Sequence, residues 1–248
     1  MNAYAAISHD SSKMENIKGI IFDYGGTIDS RGVHWSEIIW DGYLSAGVGV
    51  DKASFRDAYV YAERELARTR HILPHHNFHD LLLIKMEIEL KRLAEGGFVK
   101  SDAARLYAAP IADYCYDAAR NSIEEARPTL EALYRSYPMV LVSNFYGNVE
   151  SVLEDFGLRH YFRSVIESAV VGVRKPDPRI FSLGVEALGL APAEVLVVGD
   201  SYKKDIVPAQ SIGCRVAWLK GKGWTDEEDA VMHPSIIKKL SDLLDVAL

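Results

Sequence analysis

The sequence predicts an α/β fold, a doubly wound parallel sheet interrupted once by an all-helical insertion. Three observations predict it. Short runs rich in Val, Ile and Leu recur along the chain, near-continuous rather than alternating, which suits strands covered on both faces. From Pro128 onward, helical segments separate those runs, and such alternation means a parallel sheet with right-handed crossovers. Between residues 32 and 126 nothing has strand character.

The predicted strands are "IKGIIFDY" (17–24), "PMVLVSN" (138–144), "RSVIESAVV" (163–171), "AEVLVVGDS" (193–201) and "CRVAWL" (214–219). Helices "PTLEALYRSY", "NVESVLEDFG", "PRIFSLGVEALG" and "KKDIVPAQSIG" fall between them. In the insertion, Trp35, Ile38, Ile39 and Tyr43 share one helical face, as do Phe55, Tyr59, Ala62 and Leu66. "FHDLLLIKMEIELKRLAEGG" is a long helix closed by a glycine pair. "DAARLYAAPIADYCYDAAR" is another, with Pro110 expected to kink or break it. The charged mix in "KMEIELKRLAE" reads as a solvated face with i,i+4 pairs. The expected division is a flexible tail (1–16), a core (17–31 and 127–248) and the helical insertion (32–126).

The chain has 248 residues, 48% hydrophobic and 25% charged, which is ordinary for a globular protein able to bury a core. A net charge of −7 argues against a nucleic-acid surface but leaves room for a small anionic ligand held by a few local cations. Cys115 and Cys214 form no CxxC pair, so neither a disulfide framework nor a zinc site is expected, and a cytoplasmic setting fits. No apolar run approaches the roughly 20 residues that span a bilayer, and the N-terminus lacks the pattern of a signal peptide.

Ligands of open parallel sheets bind beyond the carboxyl ends of the strands. There the first strand ends in Asp23, the second in Ser143-Asn144 and the fourth in Gly199-Asp200-Ser201, with Lys175 on the loop "VRKPDP". Asp23 can attack an electrophilic centre, because a carboxylate can form a covalent intermediate such as an aspartyl-phosphate. A carboxylate and a phosphate repel, by ~1 kcal/mol per charge pair at 4 Å in water and more in a cleft. A divalent cation removes that obstacle, and Mg²⁺ sits on one or two carboxylates plus substrate oxygens. Asp23 and Asp200 are the natural pair, with Asp205 as a third ligand or a partner just outside the ion's own ligands. Lys175 can neutralise the phosphate as a point charge. Gly25, Gly26 and Thr27 let backbone N–H groups approach an oxyanion.

The order Asp-x-x-Gly-Thr, Ser-Asn, Lys-Pro and Gly-Asp-Ser-x-x-x-Asp resembles the haloacid-dehalogenase superfamily of hydrolases, over roughly residues 17–223. The resemblance implies a Rossmann-like core whose helical insertion is a cap that closes over the site and chooses the substrate. It implies Asp23 as nucleophile, Lys175 as stabilising cation, and Ser143 and Asn144 as phosphate binders. Mg²⁺ is then held by Asp23, Asp200 and Asp205 with the backbone carbonyl of Gly25. The implied activity is that of a phosphatase of a small phosphorylated metabolite, through an aspartyl-phosphate intermediate.

One departure matters. Most phosphatases of the family carry a second Asp, the general acid/base, where this chain has Gly25. General acid–base catalysis is worth about 10²–10⁴-fold, so its loss need not abolish activity and shifts preference toward acyl phosphates or activated esters. Asp29, His34, His71, His75, His76 and His79 are candidates to replace it. Asp29 also reads as a plain turn residue, the "HILPHHNFH" histidines as a polar loop, and Trp35 and Trp40 as core of the insertion. Three alternatives stay open: a non-catalytic or regulatory phosphate-binding protein; a phosphonatase-like hydrolase using Lys52, Lys85, Lys91 or Lys100 as a Schiff base; and a dehalogenase-like hydrolase. The "GDSYKKD" carboxylates speak against the last.

Overall fold

The computed structural model describes residues 16–247; the expected flexible tail lies, but for Asn16, outside the described residues. Six parallel strands form one sheet in the order β3-β2-β1-β4-β5-β6. They are β1 (Gly19–Phe22), β2 (Met139–Ser143), β3 (Ser164–Glu167), β4 (Val195–Gly199), β5 (Arg215–Leu219) and β6 (Ile236–Ile237). The central strands are buried throughout, and successive side chains feed opposite layers. Ile20, Phe22, Leu141 and Val198 belong to one core cluster, Ile21, Val140, Val142 and Val197 to the other. That double burial explains their unbroken apolar sequence. The sixth strand is an addition to the five expected. Two residues at a sheet edge leave no period to detect.

Between β1 and β2 stand only helices: α1 (Trp35–Ser45), α2 (Lys52–Arg68), α3 (Phe78–Glu95) and α4 (Ala103–Ser136). Asp51 caps α2 through the Ala53 and Ser54 amides, and Asn77 with Asp80 forms a capping box on α3. The expected break at Pro110 does not occur, because α4 runs for 34 residues through Pro110 and Pro128. A proline inside a helix costs about 3 kcal/mol. Against that, Ile111, Cys115, Ile123, Leu130 and Leu133 form a buried stripe along α4, and each large apolar side chain buried contributes about 1.5–3 kcal/mol. Packing wins.

A second correction concerns the charged mix on α3. Lys85 and Glu89 are not solvated; they are 4% and 0% exposed, on the same stripe as Leu82, Met86, Leu90 and Leu93. Cys115 and Cys214 are free and buried. Among the described residues no helix is long and apolar enough to cross a membrane.

Candidate active site

At the carboxyl edge of the sheet, Asp23 leaves β1 with its amide donating to the Val198 carbonyl of β4 (2.9 Å). The chain then turns sharply, with the Thr27 and Ile28 amides both donating to the Tyr24 carbonyl (3.2 and 2.9 Å). The turn delivers the Thr27 hydroxyl to Asp23 Oδ2 and Asp200 Oδ1, 3.2 Å from each. Asp23, Asp200 and Asp205 thus meet, each offering an oxygen within 4.8 Å of the others.

Lys175 reaches this cluster from the loop after β3. Its Nζ donates to Asp23 Oδ1 (2.6 Å) and pairs with Asp205 Oδ1 (2.7 Å). Both contacts are buried and charge-assisted, so one ammonium is shared between two carboxylates. Burial pulls the Lys175 ammonium toward neutrality, but Asp205 and Asp23 more than offset this and hold it protonated above its ordinary range. Desolvation, then repulsion from Asp205 and Asp23, pushes the Asp200 carboxyl well above the carboxylate range. Burial raises Asp205 likewise, against the pull of Lys175. Three carboxylates face one lysine, and that surplus of negative charge is what a divalent cation would satisfy.

Two glycines make room for this crowding. A Cβ on Gly26, whose φ is +98°, would stand 2.3 Å from Asp200 Oδ2, and one on Gly199 would stand 2.4 Å from Asp205 Cβ. At Gly25 the situation is the opposite: a Cβ there would meet nothing within 4 Å. The position is open space on the cavity wall.

The other expected site residues line the same cavity, of about 560 Å³. Ser143 is buried at the end of β2. Asn144 uses its amide to hold the Lys175 backbone: Oδ1 accepts from the Lys175 amide (2.9 Å) and Nδ2 donates to its carbonyl (3.1 Å). One amide hydrogen is left for a ligand. The N–H groups of Gly26 and Thr27, expected to face an oxyanion, are spent inside the turn on Asp29 and Tyr24. Those of Tyr24 and Gly25 have no acceptor among the described residues.

Of the residues considered as replacements for the missing acid, only Asp29 and His34 line the cavity. Asp29 is fully buried and accepts from the Gly26 amide (2.7 Å) and the Trp35 indole (3.0 Å). Burial pushes its carboxyl up to about 8, against the pull of those donors. It braces the turn against α1, which also places Trp35 on the cavity wall rather than wholly in the core. Burial, with Lys204 and Lys85 nearby, pulls His34 down to about 4 and keeps it neutral. Of the remaining histidines, His71 pairs with Glu65 (3.1 Å), His79 with Asp113 (2.7 Å), and the His76 ring accepts from the Leu73 amide (3.1 Å).

The insertion contributes a further group. Lys85 lines the cavity, paired with Glu63 of α2, and Glu63 accepts from the Tyr146 hydroxyl of the loop after β2 (3.0 and 3.1 Å). Burial lowers the Lys85 pKa, but Glu63 outweighs it and holds the ammonium protonated above its ordinary range, the wrong state for a Schiff-base nucleophile. Glu63 and Tyr146 were not singled out by sequence. The readable signals were Lys85 on the otherwise apolar stripe of α3 and, for Glu63, a glutamate one turn beyond Tyr59 beside the apolar face of α2.

A family model described as haloacid dehalogenase-like hydrolase matches residues 17–213. The haloacid dehalogenase-like hydrolase domain-containing protein 3 of Mus musculus is 34% identical over 143 residues, 54% of this chain and 57% of that protein. The phosphoserine phosphatase of Thermus thermophilus is 38% identical over 90 residues, 36% of each chain. The chain thus spans about half or less of the length of these curated relatives. The crystal structure of a predicted phosphoglycolate phosphatase from Haemophilus somnus superposes with a TM-score of 0.56 at 22% identity, covering 95% of this chain and 100% of that one, which speaks to fold alone. The match extends from the strand that presents Asp23 past the turn that presents Asp200 and Asp205, and the chain belongs to the haloacid dehalogenase-like hydrolases.

Proposed function

We propose that the chain is a Mg²⁺-dependent phosphatase of a small phosphorylated metabolite, working through a phosphoryl group carried transiently on Asp23. The observation that supports it most is the convergence of Asp23, Asp200, Asp205 and Lys175 at one end of a cavity. The names of phosphatase relatives support a phosphate ester as the substrate class.

In this reading Asp23, Asp200, Asp205 and the Gly25 carbonyl hold Mg²⁺, which supplies the positive charge that lets a phosphate approach three carboxylates. Asp23 attacks phosphorus, the ester oxygen departs, and water then hydrolyses the aspartyl-phosphate. Lys175 keeps Asp23 oriented and balances charge developing on the phosphoryl oxygens. Ser143, the free Asn144 hydrogen and the Tyr24 and Gly25 amides bind those oxygens. Thr27 orients Asp23 against Asp200, and Gly26 leaves space for Asp200. The helical insertion acts as the cap, and the open space at Gly25 means that departing alkoxides get no help from a neighbouring acid.

Asp23→Asn is expected to abolish turnover of p-nitrophenyl phosphate at saturating Mg²⁺, measured by release of nitrophenol. Undiminished turnover sinks the reading. Wild-type protein that binds phosphate tightly but turns over neither esters nor acyl phosphates is instead a phosphate-binding protein.

A further inference from the structure

The part of the cavity wall supplied by the helical insertion carries a charged pair that the proposed chemistry does not use. Lys85 is 4% exposed, with its Nζ 4.2 Å from the centre of the Tyr59 ring. Its one hydrogen bond among the described residues goes to Glu63. An ammonium has three donors, so one hydrogen remains after Glu63 and the ring face. Glu63 is used unequally: Oε1 accepts from Lys85 and Tyr146, Oε2 from Tyr146 alone. A carboxylate oxygen accepts two bonds, which leaves Oε2 one place.

Lys204, on the turn after β4, also lines the cavity, and its ammonium has no hydrogen-bond or ion-pair partner among the described residues. It stands near enough to Glu63 to contribute to the lowering of that carboxyl's pKa, behind Lys85 and Tyr146. Around these charges the wall is aromatic, with Tyr59, Phe145 and Trp224. A mostly apolar wall with a few placed polar groups is how small-molecule sites fix orientation.

We propose that Glu63, Lys85 and Lys204 recognise the far end of the substrate, and that this end carries both an ammonium and a carboxylate. A lone anion would draw Lys85 from Glu63 and leave that carboxylate underpaired; a lone cation would compete with Lys85 for it. A dipolar group answers both charges at once. Its carboxylate takes the spare Lys85 hydrogen and Lys204, and its ammonium takes the open place on Glu63 Oε2. The carboxylate is the stronger half, because two lysines face it. The proposal rests on the phosphatase reading only for the other end of the molecule.

A set of alkyl phosphates with the same kind of ester oxygen isolates the far end. Ethyl phosphate has no charge there, phosphoethanolamine an ammonium, phosphoglycolate a carboxylate and O-phosphoserine both. Titration calorimetry on the Asp23→Asn variant with Mg²⁺ present, where turnover is stopped, is expected to place O-phosphoserine about tenfold or more below ethyl phosphate in Kd, with phosphoglycolate second. Lys85→Met removes the advantage of the carboxylate, and Glu63→Gln that of the ammonium. The double variant removes the charges of the pair together and serves where a single one does not fold. With Asp23 intact, the ratios of kcat/KM follow the same order. Equal Kd values for the esters, or variants that keep the wild-type order, overturn the proposal. Ordered Kd values without hydrolysis keep the subsite and remove the phosphatase; hydrolysis with no order does the reverse.

Discussion

Lys175 and Lys85 are buried alike, each 4% exposed, and each is paired with carboxylate, yet they sit in opposite electrostatic settings. Lys175 at the sheet edge faces Asp23 and Asp205, with Asp200 beside them. Lys85 in the insertion faces Glu63, whose side chain keeps 37% of its surface. Taking a charge from water costs several kcal/mol, and the Lys85 pair meets that cost one for one. The sheet edge does not, and its excess of carboxylate is tolerable only where a further cation can enter. The comparison teaches that a buried ion pair by itself marks nothing. The uncompensated remainder marks the site.

Removing each lysine should break the comparison most sharply. Lys175→Met leaves carboxylates massed without a counter-charge, and losing one partner of a buried pair costs about 3–5 kcal/mol. Lys85→Met should cost less, because half-exposed Glu63 can turn to water. Denaturant unfolding in EDTA measures both, and added Mg²⁺ should restore part of the loss for Lys175→Met and none for Lys85→Met. Equal losses, or equal restoration, would contradict the contrast.

Gly25→Asp asks whether the sheet edge lacks anything besides an acid. The new side chain enters open space, so the expected result is a gain of roughly 10²–10⁴-fold in kcat on alkyl phosphates. Acetyl phosphate, whose leaving group needs no proton, should show little change.

The smallest effect concerns Glu89, a buried acid in the insertion that belongs to neither lysine's ion pair. It accepts from the Tyr43 hydroxyl (3.2 Å), and its Oε1 has no partner. Burial pushes its carboxyl up to about 8, whereas the unfolded chain has the ordinary value near ~4.3. Between those values the folded state binds the extra proton. Its contribution is therefore complete below the lower value and is lost as pH rises through the upper one. Glu89→Gln is expected to shrink the fall in Tm between pH 5 and 8.5. Asp29, also raised to about 8, keeps part of that fall in place. An unchanged difference in Tm would show that Glu89 does not titrate there.

Much of the sheet edge was legible in the sequence, because its information is local. Asp23, Ser143 and Asp200 each follow an apolar run directly, and a strand's direction decides where its last residue points. The insertion was legible only as helices. Periodicity located the helical faces but treated Pro110 as an interruption, since a local rule takes no account of the buried stripe that holds α4 together. It also placed Lys85 and Glu89 in water, since charge is normally a sign of exposure.

By itself the sequence determined the layering of strands and helices, the polar groups at the strand ends and the absence of an acid at Gly25. The tertiary structure alone decided that Thr27 would join Asp23 to Asp200, that Asn144 would hold the Lys175 backbone, and that Tyr146 would meet Glu63 across the cavity. The physical reason is range. Hydrophobic period and turn chemistry act over a few residues, whereas contacts between groups many residues apart depend on how whole helices and loops settle against the sheet.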